Sequence, residues 1–169
     1  MAPAQESSTS LTKEISSVPL LDVGRGNKKI RQEILKKISE VYDAGCFVYG
    51  PDCRELESRI AEISSAKYAI GCASGSEALL VALMAHDIGP GDEVILPSFT
   101  FFATASAVWR LGAKVVFADI DPATFNMDPK HVESLVNSKT RAIIPVHLFG
   151  QCADTVSYTH LTLPTTLVV

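Results

Sequence analysis

The feature that most constrains this fold is a repeated alternation of short apolar segments with longer amphipathic ones. We predict strands at residues 68–73, 93–97, 114–118 and 141–148, with helices between them at 76–86, 100–111 and 129–136. Strands that are separated by helices of this length typify βαβ crossovers, because two parallel strands need a long connection. The alternation therefore predicts an α/β fold with a mostly parallel sheet and helices on both faces.

Two further helices are predicted before this alternation begins. Between residues 28 and 44, apolar side chains recur at steps of three and four, so they share one helical face, and Gly45 then ends the helix. Pro51 begins the second helix, because proline is well tolerated at a first helical position. We expect the apolar side of that helix to be buried, and its members are Leu56, Ile60 and Ile63.

Charge and patterning exclude several classes of function. The formal net charge is −4 and the Lys and Arg residues are scattered, so we do not expect a nucleic-acid partner. No segment approaches the ~18 consecutive apolar residues of a membrane span, and residues 1–17 resemble a flexible polar leader instead of a signal peptide. No CxxC pair or metal-ligand spacing is present. We expect a cytoplasmic protein without a metal site or a membrane contact.

The most informative local signal lies in residues 72–79, where a predicted strand gives way at once to a helix. Three small residues, Ser74, Gly75 and Ser76, form the junction. Glycine lets a ligand approach the backbone, and the N–H groups of a first helical turn attract anions, so the junction is suited to phosphate. The alternative is a plain turn with Ser76 as the N-cap. The Glu77 carboxylate would repel a phosphate, so it must point away if one binds.

Three aromatic residues, Phe99, Phe101 and Phe102, cluster where the second predicted strand gives way to a helix. The junction lies at the carboxyl edge of the expected sheet, where α/β proteins place their ligands. An aromatic side chain at this edge can stack on a flat ring. The alternative is that the three rings belong to the core beneath the helix.

Several polar residues are expected near the same edge. Asp119 and Asp121 end the third strand and could provide acid and base catalysis, although turn capping by Asp121 is the favoured interpretation. His147 follows the fourth strand, and it is either a site residue or a hydrogen-bonded structural residue. His86 and His131 are predicted on helix surfaces.

Taken together, these segments resemble the DegT/DnrJ/EryC1/StrS family of sugar aminotransferases. The matching segments, in chain order, are 19–22, 47–51, Leu56 with Glu57, 74–79, 89–95, 100–104 and 145–150. Their shared order and spacing over residues 18–154 carry the resemblance, and residues 18–154 are therefore predicted to form the N-terminal part of an aminotransferase large domain.

The resemblance implies a type I fold that depends on pyridoxal 5′-phosphate. It implies a homodimer with active sites at the subunit interface, and transfer of an amino group from glutamate or glutamine to a nucleotide-linked keto-sugar. The Ser74, Gly75 and Ser76 turn matches the family's first phosphate-binding segment, and Phe101 matches the aromatic residue that stacks on the cofactor ring. The implied partners are thus the cofactor, a nucleotide-linked sugar, an amino-acid donor and a second subunit.

The sequence departs from the family pattern at Thr155. The family next supplies an aspartate for the pyridine nitrogen, a serine and the lysine that forms the Schiff base, whereas no lysine follows Lys139 here. We therefore assign no catalytic residue and expect the chain to be an inactive fragment. Residues 155–169 are rich in Thr and Leu, and we interpret them as a non-native tail that lies outside the fold and contains no helix.

Two alternatives to an aminotransferase fragment stay open. A sister group in the family replaces the lysine and catalyses dehydration, so the parent enzyme could be a related sugar dehydratase. The residue at the lysine position would distinguish the two. The chain could also be a non-catalytic binding module.

Overall fold

The computed structural model describes residues 19–161 and 167–168, and the chain divides into two compact units. The first unit ends at Ala69 and the second begins at Ile70. The predicted leader, residues 1–17, lies outside the described residues. The helices are α1 (Val23–Asn27), α2 (Arg31–Ala44), α3 (Pro51–Ile63), α4 (Gly75–Met84), α5 (Ala103–Arg110), α6 (Pro129–Leu135) and α7 (Thr155–Thr159). The strands are β1 (Glu93–Pro97), β2 (Lys114–Ala118), β3 (Thr140–Ile143) and β4 (Leu167–Val168).

The first unit contains α1, α2 and α3, and it confirms both upstream helices. Helix α2 ends at Gly45, whose φ of 65° is the left-handed conformation that glycine adopts without a steric cost. Pro51 occupies the start of α3. The expected burial of the apolar side of α3 is wrong, because Leu56 is 61% exposed and none of the described residues in these helices is buried. A helix buries its apolar stripe only against another layer of structure.

The second unit is built on a parallel sheet. Its strand order is β2-β1-β3-β4, and every described pairing is parallel, so β1 lies between β2 and β3. The chain enters β2 through α5 and β3 through α6, as a βαβ pattern requires. The predicted mostly parallel sheet is confirmed.

Side chains that alternate along the strands fill two separate cores. Val94 and Leu96 of β1 contact one core, to which α4 and α5 contribute Leu83 and Val108. Ile95 points to the opposite face, where it joins a second core with side chains from α6 and α7. Because successive residues of a strand point to opposite faces, this division places helices on both sides of the sheet, as predicted.

Two of the predicted strands differ from the observed ones. Residues 68–73 form no strand, and Tyr68 and Ile70 are largely exposed. An apolar run becomes a strand only where a neighbouring strand pairs with its backbone, and within the described chain no strand pairs with this segment. The fourth predicted strand is shorter than expected, because β3 ends at Ile143, two residues before Pro145.

Residues 155–161 correct the interpretation of the tail. The segment begins with α7, whose N-cap Asp154 accepts a hydrogen bond from Ser157 N–H at 3.2 Å. Tyr158 is fully buried in the second core, where its hydroxyl donates to the Met127 carbonyl, and burial raises the pKa of Tyr158 to about 12. The expectation that this segment lies outside the fold without a helix is wrong for residues 155–161. That residues 155–169 are non-native stays a prediction.

A buried carboxylate ties the strands together at the amino ends of the sheet. Glu93 is 8% exposed and accepts hydrogen bonds from Lys114 Nζ and Asn137 Nδ2, each at 2.8 Å. The Asn137 amide and the Lys114 ammonium hold the pKa of Glu93 below its ordinary value. These contacts join β1 to β2 and to the loop before β3, so Glu93 has a structural role.

We expect Glu93→Gln to destabilise the protein at neutral pH and to lose this effect in acid. A carboxylate whose pKa is lowered by folding stabilises the native state above the unfolded-state pKa, and the stabilisation is lost as the pH falls through the folded-state value. Urea unfolding of wild type and variant at pH 7 and pH 3 would measure the difference. Glu133→Gln, at an exposed position of α6, is the matched control. A penalty of equal size at both pH values would contradict the prediction.

Candidate functional site

The turn before α4 is held by its first serine. Ser74 has an extended backbone and is the N-cap, and its Oγ accepts a hydrogen bond from Glu77 N–H at 3.2 Å. The Ser74 carbonyl accepts the first intrahelical bond, from Ala78 N–H, at 3.0 Å. The N-cap is therefore Ser74 and not Ser76, and the helix begins at Gly75.

The same turn has room and hydrogen-bond donors for an anion. A Cβ atom added to Gly75 would meet nothing within 4 Å, and the φ of Gly75 lies outside the left-handed region, so its backbone conformation does not require glycine. Among the described residues, no group accepts a hydrogen bond from the N–H of Gly75 or Ser76. Such donors at the positive end of a helix dipole favour a negatively charged guest.

The carboxylate of Glu77 is bound by an arginine of the neighbouring helix. Arg110 Nη1 donates to Glu77 Oε1 at 2.7 Å, and the two side chains are 44% and 39% exposed. This ion pair offsets the charge that would otherwise repel a phosphate at the turn. The sequence required Glu77 to point away from a bound phosphate, but it contained no local signal that Arg110 would be its partner.

The predicted ring-stacking residue lies in the segment that follows β1. Phe101 is 77% exposed, and Phe102 is exposed as well, so neither ring belongs to the core. Phe99 contacts Phe125 with ring centroids 6.1 Å apart. The exposed ring of Phe101 is available for stacking on a flat ligand. Its exposure does not agree with the alternative interpretation, in which the ring belongs to the core.

The structure groups the three predicted phosphate contacts, Ser74, Gly75 and Ser76, in one turn. Within residues 19–161, no hydrogen bond or ring contact joins this turn to Phe101. The two parts are connected through the packing of α4 on α5, which share one core face of the sheet. A ligand with a phosphate and a ring would have to link them.

Of the two aspartates after β2, Asp121 has a structural role in the turn. Asp121 Oδ1 accepts hydrogen bonds from the N–H groups of Thr124 and Ala123, each at 2.9 Å, and these bonds hold the pKa of Asp121 below its ordinary value. The favoured capping interpretation is confirmed. His131 lies on α6 as predicted, but its Nδ1 accepts from Asp119 N–H at 2.7 Å and the residue is half-buried, so it is not a plain surface residue.

The loop that follows β3 is fixed by two side chains. His147 Nδ1 accepts from Ala153 N–H at 2.9 Å, which is the structural role that the sequence favoured for a lone histidine. Asn126 is 6% exposed, donates to the carbonyls of Gln151 and Cys152, and accepts from Leu148 N–H. Sequence reasoning did not identify Asn126, because its partners Gln151 and Cys152 lie some 25 residues later in the chain and no local pattern marks it for burial.

Neither a metal centre nor a membrane span is found in the described part of the chain. No group of three or more His, Cys, Asp or Glu side chains there could hold a metal ion. No described helix is both long enough and apolar enough to cross a bilayer.

Comparisons with known proteins agree on one family. A model of the DegT/DnrJ/EryC1/StrS aminotransferase family matches residues 28–169. A pleiotropic regulatory protein of Geobacillus stearothermophilus is 51% identical over 138 residues, which are 82% of this chain and 37% of that protein. The UDP-2-acetamido-2-deoxy-3-oxo-D-glucuronate aminotransferase of Pseudomonas aeruginosa is 47% identical over 137 residues, which are 81% of this chain and 38% of the enzyme.

Solved structures give the same result for the fold. The crystal structure of NtdA from Bacillus subtilis, with bound cofactor PMP, is similar with a TM-score of 0.82 and 36% identity. The similarity covers 86% of this chain and 34% of that one. This chain thus spans less than two fifths of the length of each of these relatives.

Proposed function

The chain belongs to the DegT/DnrJ/EryC1/StrS aminotransferase family, and we propose that it forms the N-terminal, cofactor-binding part of a nucleotide-sugar aminotransferase. The reaction that we propose for the whole enzyme is transfer of an amino group from glutamate or glutamine to a nucleotide-linked keto-sugar. The observation that carries the proposal is the open turn before α4, in which Gly75 and Ser76 present backbone donors.

Pyridoxal phosphate is the cofactor of this family, and the residues present fit it. Ser74, Gly75 and Ser76 would hold its phosphate, since they form the start of α4 and the N–H groups of Gly75 and Ser76 have no acceptor among the described residues. Phe101 would contact its ring, because the Phe101 side chain is exposed beside the carboxyl end of β1. The cofactor, when bound, supplies the electron sink that amino transfer requires.

The role that we propose for the residues of this chain is to orient the cofactor. The helix dipole of α4 and the first-turn N–H groups would hold the phosphate of a bound cofactor, and the Glu77–Arg110 ion pair would offset the negative charge of Glu77 beside it. We propose that the 169-residue chain is inactive by itself, because Lys114, Lys130 and Lys139, the lysines of the second unit, lie away from the carboxyl end of β1 that Phe101 follows. We further propose that the enzyme is a cytoplasmic homodimer whose second subunit completes the site.

Gly75→Val should abolish binding of pyridoxamine 5′-phosphate at the turn. The branched side chain would enter the open space above Gly75, where the phosphate is proposed to lie, and would cover the adjacent N–H groups. Titration of labelled protein should give ligand-dependent amide shifts at residues 74–78 in the wild type and none in the variant. Pyridoxamine without its phosphate should bind neither protein at this turn.

Gly26→Val is the matched control, since a Cβ atom at Gly26 in α1 would also meet nothing within 4 Å. This variant should keep the wild-type shifts. Because neither glycine has a left-handed φ, both variants should fold. If the ligand-dependent amide shifts at residues 74–78 are unchanged in Gly75→Val, the proposed phosphate site is refuted and the turn has only a structural role.

A further inference from the structure

The first turn of α4 contains half of a capping box. In this motif, a Ser at the N-cap accepts a hydrogen bond from the third helical residue, and a Glu at that residue accepts one from the N-cap N–H. Ser74 and Glu77 occupy these two positions, and the bond from Glu77 N–H to Ser74 Oγ is formed at 3.2 Å. In the described structure the reciprocal bond, from Ser74 N–H to the Glu77 carboxylate, is not formed.

The Glu77 carboxylate does not accept the reciprocal bond from Ser74 N–H because it is paired with Arg110 instead. Arg110, the last residue of α5, donates a hydrogen bond from Nη1 to Glu77 Oε1 at 2.7 Å, and both side chains are only partly exposed. We infer that Arg110 is a positioning residue, which keeps the Glu77 carboxylate from closing the capping box and so reserves the first-turn N–H groups for an anionic ligand.

This inference rests on the proposed function and explains how its phosphate site stays open. Without Arg110, the carboxylate returns to the position that Glu takes in a complete capping box, where it accepts from Ser74 N–H. Its negative charge then lies beside the donors of Gly75 and Ser76. Glu77 becomes an internal competitor for the phosphate, because both anions use the same end of the helix dipole.

Arg110→Gln tests the inference in the full 169-residue chain, with pyridoxamine 5′-phosphate as the probe. We expect binding to weaken by about three- to ten-fold, the range for one partly exposed charge. The double variant with Glu77→Ala should bind like the wild type, because no carboxylate is left to compete. In the absence of the probe, the Ser74 amide should exchange with solvent more slowly in Arg110→Gln, since the completed capping bond protects it.

Arg59→Gln is the matched control, because it removes the same charge from another Arg–Glu pair, Arg59 with Glu55 at 2.6 Å. Its binding should not change. Unchanged binding in Arg110→Gln would overturn the inference, and so would equal weakening in the single and double variants, which would assign Arg110 a direct or packing role. The proposed function is tested separately by Gly75→Val. If that variant abolishes binding while Arg110→Gln has no effect, the inference alone fails.

Discussion

Replacing Tyr158 by alanine is expected to lower the free energy of unfolding by about 3–5 kcal/mol, the usual cost of removing a large aromatic side chain from a core. Tyr158 is fully buried and packs in the second core with Val132, Ile143 and Met127. Its hydroxyl also donates to the Met127 carbonyl. The substitution therefore removes packing and leaves a buried acceptor without its donor.

Urea unfolding, followed by circular dichroism, would measure the effect. Tyr158→Phe separates the two contributions, since it keeps the ring and loses only the hydrogen bond, for an expected cost of about 1–3 kcal/mol. Tyr42→Ala is the matched control, because Tyr42 lies on α2 and is 73% exposed, and we expect it to change stability by less than about 0.5 kcal/mol. A loss below about 1 kcal/mol in Tyr158→Ala would contradict a role of residues 155–161 in the core.

The tail illustrates where pattern reasoning failed. Residues 155–169 lack Asp, Glu, Lys and Arg and alternate Thr with Leu, a pattern that favours a strand. A long-range contact helps to hold residues 155–161 in the fold, namely the burial of Tyr158 in the second core beside Val132 and Met127. Local patterns do not encode such a contact, because the partner lies about thirty residues earlier in the chain.

The fold was otherwise predictable wherever local signals agreed with packing. Gly45 and Pro51 set the bounds of α2 and α3 through backbone conformation alone, and both predictions are confirmed. The sequence correctly predicted that α3 is a helix with its apolar residues on one side, but that side is not buried. Periodicity shows which residues share a face, whereas burial depends on what packs against that face.

The candidate site was predictable to the level of residue types. Ser74, Gly75 and Ser76 lie together at a helix start because small residues followed by an apolar run specify the beginning of a helix. The strand that the sequence predicted before this helix is not formed. The ion pair of Glu77 with Arg110 could not be predicted, since it joins residues 33 positions apart through the packing of two helices. Asn126 was missed for the same reason, because its partners lie in a distant loop.

Treatment of the 169-residue chain with one equivalent of pyridoxal phosphate, followed by borohydride, is expected to give no lysine with stoichiometric labelling. Lys114 and Lys139 lie at the amino ends of the strands, whereas Phe101 follows the carboxyl end of β1. Lys130 lies on α6, which covers the face opposite to α4. The proposed phosphate site therefore has no lysine of the second unit beside it.

Peptide mass mapping would measure the labelled fraction of each lysine, and the same chain in concentrated urea supplies the baseline for non-specific labelling. Because labelling without a binding site depends on exposure alone, the folded chain should show low labelling that is spread over several lysines. A single lysine that is labelled nearly to completion in the folded chain, and only to the baseline level in urea, would show that this chain contains its own covalent cofactor residue. That result would refute the proposal that the isolated chain is inactive for lack of such a lysine, while the phosphate site tested by Gly75→Val would be unaffected.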